Sequence, residues 1–174
     1  MSNYSFSIHR YQPEQEAAWN AFVLRARNAS FLFQRSYMDY HSDRFNDHSL
    51  LILNDNRIIA ALPANEDGNT LVSHAGLTFG GLLVGDAFRL EHALAAIDAL
   101  ADYARKNAVT ALVYRRAPYP YYNIPTEEDV IAICRRGGAM CDVKPTSVLS
   151  LRHLPKRRDS RFQEAKAAER RGIV

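Results

Sequence analysis

Cysteine is almost missing from this sequence: Cys134 and Cys141 are the only two in 174 residues, without metal-ligand spacing or a repeated pair. That argues against a disulfide-stapled secreted scaffold or a cysteine zinc site, and the expectation is two buried structural thiols in a reducing cytoplasm. No apolar run approaches the ~18 residues a spanning helix needs. The N-terminal stretch alternates polar and aromatic residues and has no apolar h-region, so no secretory leader is legible. Nucleotide loops are missing as well: neither G-x-G-x-x-G nor a Walker sequence occurs. A cytoplasmic protein with one core and no membrane span is the expectation, and a composition of 47% hydrophobic and 24% charged residues fits it.

The net charge of +3 hides an asymmetry. Residues 152–174 carry eight basic side chains (Arg152, Lys156, Arg157, Arg158, Arg161, Lys166, Arg170, Arg171) against three acidic ones (Asp159, Glu164, Glu169). That segment is therefore +5, and the preceding 151 residues are −2. A basic tail can meet nucleic acid or an anionic surface, but the body is acidic and no RNP, KH or helix-turn-helix pattern is present, so no DNA partner is expected. A solvated helix is the simpler reading of the tail.

Periodicity orders the chain. Tyr4–Ile8 alternates and reads as an opening strand. Pro13 starts a helix with the apolar stripe Trp19, Phe22, Val23 and Ala26, and Ser36–Phe45 reads as a second short helix. Apolar runs His48–Leu53 and Arg57–Pro63, joined by Asn54-Asp55-Asn56, form a hairpin signal. Glu66-Asp67-Gly68-Asn69 turns into a third strand, Thr70–Ser73. Leu90, Leu94, Ile97, Ala101 and Ala104 recur at helical spacing and predict a helix over Phe88–Lys106. Val109–Tyr114 is apolar enough to predict a central strand. An irregular aromatic loop, Arg115–Tyr122, follows. Thr126-Glu127-Glu128-Asp129 opens a helix that stops at Gly137-Gly138. Thr146–Leu151 reads as a last strand and Lys156–Arg171 as a last basic helix. The order is α+β or mixed α/β, with a largely antiparallel sheet flanked by helices.

Ser73-His74-Ala75-Gly76-Leu77-Thr78-Phe79-Gly80-Gly81-Leu82 concentrates polar side chains and glycines between strand and helix signals. Glycine there permits sharp bends and close backbone approach, which suits an anion or a reacting carbonyl. His74 is the candidate general base, since an ordinary histidine titrates near neutral pH. Ser73, Thr78, Gly80 and Gly81 are candidate substrate contacts. Tyr114, Arg115, Tyr121 and Tyr122 form a second cluster. There a tyrosine can act as general acid, with Tyr122 the catalytic candidate, while Tyr114 and Arg115 bind substrate. Each has a plain structural alternative: a core histidine, turn-stabilising hydroxyls, and an aromatic loop with arginines stacked on tyrosine rings. Tyr40, His41, Asp43 and His48 are too irregularly spaced to predict a metal site.

The element order, together with Tyr40-His41, Asp43-Arg44-Phe45, Asp47-His48-Ser49-Leu50, Leu62-Pro63-Ala64-Asn65, the Ser73–Gly81 segment and Pro118-Tyr119-Pro120-Tyr121-Tyr122, resembles the N-terminal half of bacterial FemAB-like proteins of the acyl-CoA N-acyltransferase (GNAT) fold. The resemblance implies a transferase moving an acyl or aminoacyl group onto an amine of a small molecule or cell-envelope precursor. Acyl-CoA is then an implied donor, tRNA enters only as an aminoacyl donor, and no metal is required. It also implies residues 1–154 as a GNAT-like lobe and 155–174 as a basic linker helix leading to a second lobe that usually supplies much of the donor site. Two departures follow. The chain has no Arg/Gln-x-x-Gly-x-Gly/Ala pyrophosphate loop, and it stops at Val174 where a second lobe is expected to begin. The alternative is a non-catalytic half-module that packs on a partner lobe or self-associates.

Overall fold

The computed structural model describes residues 4–145, 147–150, 152 and 159–172, in two compact units, Met1–Val143 and Lys144–Val174. In the first unit the order is β1 (Ser7–Arg10), α1 (Glu16–Arg25), α2 (Arg35–Met38), β2 (Asn46–Asp47), β3 (Leu50–Asn54), β4 (Arg57–Leu62), β5 (Asn65–Asp67), β6 (Thr70–Val72), β7 (Leu83–Val84), α3 (Leu90–Lys106), β8 (Ala111–Val113) and α4 (Glu128–Arg135). The second unit contributes α5 (Asp159–Arg170). The mixed α+β class is the one expected from sequence.

A single long hairpin organises the sheets. Its arms run β2–β3 and β4–β5, and Asp55 and Asn56 at its tip both adopt positive φ, 45° and 65°. Two-residue turns of that kind match strand twist and favour Asn and Asp. Residues 48–49 and 63–64 interrupt the arms, so the hairpin passes through two sheets, ordered β1-β3-β4-β7 and β2-β5-β6-β8. The His48 amide donates to the Ala64 carbonyl at 2.8 Å and carries the pairing across the break.

Both faces of the first sheet are covered, which is why β3 reads Leu-Leu-Ile without alternation. Leu50 and Ile52 face a core with Phe6, Leu62, Ala93, Ala96 and Leu100, and the two alanines let α3 approach closely. Leu51 points the other way, into Trp19, Phe22, Val23 and Phe33. The predicted stripe on α1 is the buried one. Trp19, fully buried, donates its indole N–H to the Phe33 carbonyl at 2.8 Å, as an indole inside a core must.

Four expectations change. Val109–Tyr114 is not central. Its strand, β8, lies parallel to β6 at the rim of the second sheet, and Leu112 and Val113 are 38% and 37% exposed. Apolar content alone does not distinguish a covered strand from an uncovered one. Ser36–Phe45 is not one helix but the short α2 followed by a 3-10 turn over Asp39–His41. Cys134 and Cys141 are free but exposed rather than buried, because only Asp129 and Ala132 of α4 reach the interior. Residues 147–150 have no regular structure, and the ends of the expected strand, Thr146 and Leu151, lie outside the described residues, as do Lys156–Arg158 of the expected last helix.

Candidate functional site

The glycine segment occupies a different place from the one its sequence neighbours imply. It is not a connection between a strand and a helix. Asn65 pairs with Val72 and Ala61 with Leu83, so four steps on one strand face eleven on the other. Seven residues are extruded from the middle of one strand path. The excursion leaves the β6 path after Val72, which pairs with Val113, and returns at Gly80, which bridges Arg116 on the continuation of β8.

Its bonds say how. The Ser73 amide donates to Val113 O at 2.9 Å, the Arg115 amide donates to Ser73 Oγ at 2.7 Å, and the Gly80 amide donates to Arg115 O at 2.7 Å. Gly80 then bridges Arg116 in parallel. A Cβ on Gly80 would sit 2.8 Å from the Ser73 carbonyl carbon and closer still to its oxygen, so only glycine lets the excursion close on itself. Gly81 has φ +89°, and a Cβ there would also meet the Tyr114 hydroxyl at 3.3 Å.

His74 sits at the head of the excursion with φ 56° and only 4% exposure. Burial is the main reason its pKa falls to about 4, with Arg35 adding to the depression and Asp47 opposing it. Its Nδ1 is buried without a hydrogen-bond partner among the described residues. His74 is therefore a neutral imidazole held inside the fold at physiological pH, beside a buried ionic network. In that network Arg35, 2% exposed, pairs with Asp39 and Asp47 and stacks 4.0 Å over Tyr11. Thr78, by contrast, is exposed on the outer limb of the excursion.

On the opposite strand, the Tyr114 hydroxyl donates to Asp129 Oδ2 at 2.6 Å and accepts from the Leu82 amide at 2.7 Å. Burial and the adjacent carboxylate push its pKa well above the ordinary tyrosine value. Asp129 is 2% exposed, and burial raises its pKa although Tyr114 and Arg116 both oppose that. Among the described residues its Oδ1 has no hydrogen-bond partner, nor does the buried Arg116 Nε, which lies 3.8 Å from Asp129 Oδ2 as an ion pair. Arg116 pairs with Glu127 at 2.8 Å and lies 5.3 Å over the Tyr122 ring. Tyr122 donates to the Ala117 carbonyl at 2.9 Å, and burial pushes its pKa up to about 12. Arg115 is exposed, and the bridge between Gly80 and Arg116 sets it beside Phe79, whose ring stacks on Tyr121 at 5.4 Å.

The fold thus gathers Ser73, His74, Gly80, Gly81, Tyr114 and Arg115 at one junction, with Tyr122 next to it. Ser73, Tyr114 and Tyr122 have their hydroxyls engaged with the protein, whereas among the described residues Thr78 and the Arg115 guanidinium have no such bond. Asp129 escaped the sequence reading because an acid in a first helical turn is explained by the helix dipole alone. Asn28 escaped as part of a polar break. Its buried amide donates to Leu82 O at 2.8 Å and accepts from Val84 N at 2.9 Å, standing in for a paired strand. His48 is no metal ligand: its Nδ1 bonds Glu66 and its Nε2 bonds Tyr103 at 2.7 Å, and among the described residues no His/Cys/Asp/Glu group could hold an ion. The approach to α3 is Gly85-Asp86-Ala87-Phe88-Arg89, and the Arg89 amide is taken by His92 Nδ1 at 3.0 Å. An acidic residue and an occupied amide do not make a pyrophosphate cradle.

No family model and no curated protein sequence matches the chain. Solved structures do. A ribosomal-protein-alanine N-acetyltransferase from Brucella melitensis biovar Abortus 2308 aligns at TM-score 0.51 and 15% identity, over 83% of this chain and 98% of that one. An aminoglycoside acetyltransferase from an uncultured soil metagenomic sample gives 0.49 at 16% identity, over 84% and 99%. An aminoglycoside 6'-N-acetyltransferase from Acinetobacter haemolyticus gives 0.44 at 16%, over 83% and 97%. Among the described residues no helix is long and apolar enough to cross a membrane. The first of these likenesses, the one above 0.5, speaks at this identity to architecture alone, and the architecture of this chain is the GNAT fold.

Proposed function

We propose that this chain is an N-acyltransferase of the FemAB-like kind, moving an acyl or aminoacyl group from a thioester or ester to an amine. The observation that supports the reading most is the junction itself. On a GNAT fold, β6 and β8 run parallel as far as Val72 and Val113, the excursion leaves the strand path there, and its glycine backbone returns to bridge Arg116, with Thr78 and Arg115 exposed beside it. Free amine attacks the donor carbonyl, the carbonyl oxygen gains the negative charge, and backbone N–H groups at the excursion stabilise it. The leaving group departs with the proton the amine gives up. His74, neutral and with Nδ1 lacking a hydrogen-bond partner among the described residues, is the proposed proton acceptor, and Tyr122 the proposed donor to the leaving group. The first role requires the excursion to open, since His74 is buried, and the second requires the Tyr122 hydroxyl to leave the Ala117 carbonyl. Ser73, Gly80, Gly81 and Tyr114 shape the cleft, and Thr78 and Arg115 meet the substrate. The acceptor is a small-molecule or cell-envelope precursor amine. Acyl-CoA is the first donor to test, and its phosphates must be held elsewhere than at the approach to α3.

Acyl transfer from acetyl-CoA to a panel of amines by the purified chain tests the reading. Loss of turnover in His74→Asn, with the variant still cooperatively folded at pH 8, supports His74 as base. Full activity in that variant removes it from the role. Arg115→Ala is expected to raise KM with kcat little changed, the signature of lost ground-state binding.

A second reading has its own observation. Edge strand β8 exposes Leu112 and Val113 on a strand with apolar residues throughout, and such edges invite pairing. A half-module that packs on another lobe, or on a second copy, would cover it. Sedimentation of a clean monomer at high concentration, together with turnover, would count against that reading.

A further inference from the structure

A groove of about 910 Å3 lies on the other side of the fold, between the free edge of β1 and helix α3. Five consecutive residues, Tyr4 to Ile8, form one wall, and the α3 face from Leu94 to Lys106 forms the other. We infer that this groove binds an extended polypeptide segment, which adds to sheet β1-β3-β4-β7 as a fifth strand and places a carboxylate beside Lys106.

The first support is the state of the backbone. The Tyr11 amide donates to Ser49 O, which turns Tyr11 towards β3. Direction alternates along a strand, so His9 and Ser7 also face β3, while Arg10 and Ile8 point their N–H and C=O outwards. The same alternation carried to Phe6, just before the strand, puts another pair into the groove. Among the described residues none of the outward groups of Phe6 or Ile8 has a hydrogen-bond partner. An unpaired donor–acceptor row beside a groove is the site type that strand addition uses.

The dimensions agree. Leu94 to Lys106 is twelve steps of helix, about 18 Å at ~1.5 Å each, and a strand of about five residues covers that length. The facing helix surface has small residues, Ala95 and Ala99, which leaves room for alternate side chains of the guest. Charge then selects the guest. Asp98 is held by a two-pronged bond from Arg136, at 2.5 and 2.6 Å, and Asp102 by Arg105 at 2.6 Å. Lys106, at the end of the groove, has no ion pair or hydrogen bond among the described residues. A peptide ending in, or carrying, a carboxylate at that end complements the one lining charge left uncommitted among the described residues. The inference does not depend on the acyl-transfer reading.

The test uses the full chain and a short acetylated peptide of alternating serine and valine with a terminal glutamate, followed by amide hydrogen exchange and titration. Saturable binding with about tenfold slower exchange at the Ile8 and Phe6 amides is expected. Lys106→Glu, a surface change that leaves the fold alone, should weaken this peptide by about threefold and favour a lysine-ended one. Ile8→Pro removes an outward donor that the sheet does not use, so it should abolish binding while the protein still folds. Binding that leaves Ile8 and Phe6 unprotected, equal binding of a peptide with proline at alternate positions, or no saturation up to millimolar peptide would each overturn the inference. Protection that appears with protein concentration and without peptide would assign the edge to a second copy instead, and would overturn it too.

Discussion

Acid should destabilise this protein through one residue, and the size of the effect follows from where His74 lies. In the unfolded chain its imidazole titrates near 6.5, and in the fold burial lowers that to about 4. The folded state therefore binds fewer protons than the unfolded state between those values. Stability is fully present above the unfolded pKa, is lost as pH falls, and the loss is complete once pH has passed below the folded pKa. A difference of about 2.5 pH units is worth about 3 kcal/mol in total, and at pH 5 about 2 kcal/mol is already lost. For a chain of this length each kcal/mol moves the melting temperature by about 2–4 °C, so pH 8 to pH 5 should lower it by about 4–8 °C.

The control is His74→Asn. Asparagine does not titrate and tolerates the positive φ of 56° better than most residues, so the backbone can stay in place. Its own cost, lost packing, is the same at both pH values and cancels in the comparison. Melts stop at pH 5 because Glu66 and Glu128, both held below the ordinary carboxylate range, begin to lose their contribution at lower pH. Asp129 acts in the opposite sense, since its raised pKa makes it a burden at neutral pH that acid relieves, and it is common to both proteins. If parent and variant lose the same number of degrees between pH 8 and pH 5, His74 is not the buried neutral base its surroundings make it, and the reasoning fails.

How far the sequence reached can be read from particular elements. The hairpin of β3 and β4, the stripe on α1 and the span of α3 were legible because each follows a local rule: a positive-φ Asn/Asp turn, a 3.6-residue period, an apolar face on small residues. The glycine segment was legible as a backbone that must come close to something, and Gly80 against the Ser73 carbonyl is that something. That the segment is extruded from within a strand was not legible. It depends on Leu83 returning to pair with Ala61 after an excursion, and no local pattern records a pairing partner. Exposure of β8 was hidden for the same reason, because its apolar residues describe the strand and not its neighbours. Asp129, Asn28 and Arg35 were invisible as buried polar groups, since each is ordinary for a helix start or a break. Only the fold brings Tyr114, Leu82, Val84 and Asp47 to meet them.

Three further outcomes are expected, the last the sharpest. Replacing Leu112 with lysine should reduce any self-association seen by sedimentation at a modest cost in melting temperature, because the side chain is 38% exposed on an uncovered edge while its remainder borders Leu62, Leu71 and Leu100. Gly80→Ala should destabilise by about 3 kcal/mol or more, since the added methyl meets backbone atoms of Ser73 that cannot give way as a flexible side chain would. Denaturant midpoints at constant slope would measure it, and a loss under 1 kcal/mol would show that the excursion is softer than its bonds imply. Tyr114→Phe removes one oxygen that satisfies two buried groups, the Asp129 carboxylate and the Leu82 amide. Losing both bonds leaves an acceptor and a donor unpaired, at about 2–3 kcal/mol together. The Asp129 pKa, already raised by burial, should rise further without the hydroxyl that opposed it. The mutant's deficit should therefore be larger at pH 8 than at pH 5, the reverse of the His74 dependence. Adding Asp129→Asn should then recover part of the loss at pH 8, because the uncompensated charge is gone. A double mutant no more stable than Tyr114→Phe alone would show that the carboxylate reaches water once the tyrosine oxygen is removed, and that the clasp between β8 and α4 is not closed to solvent.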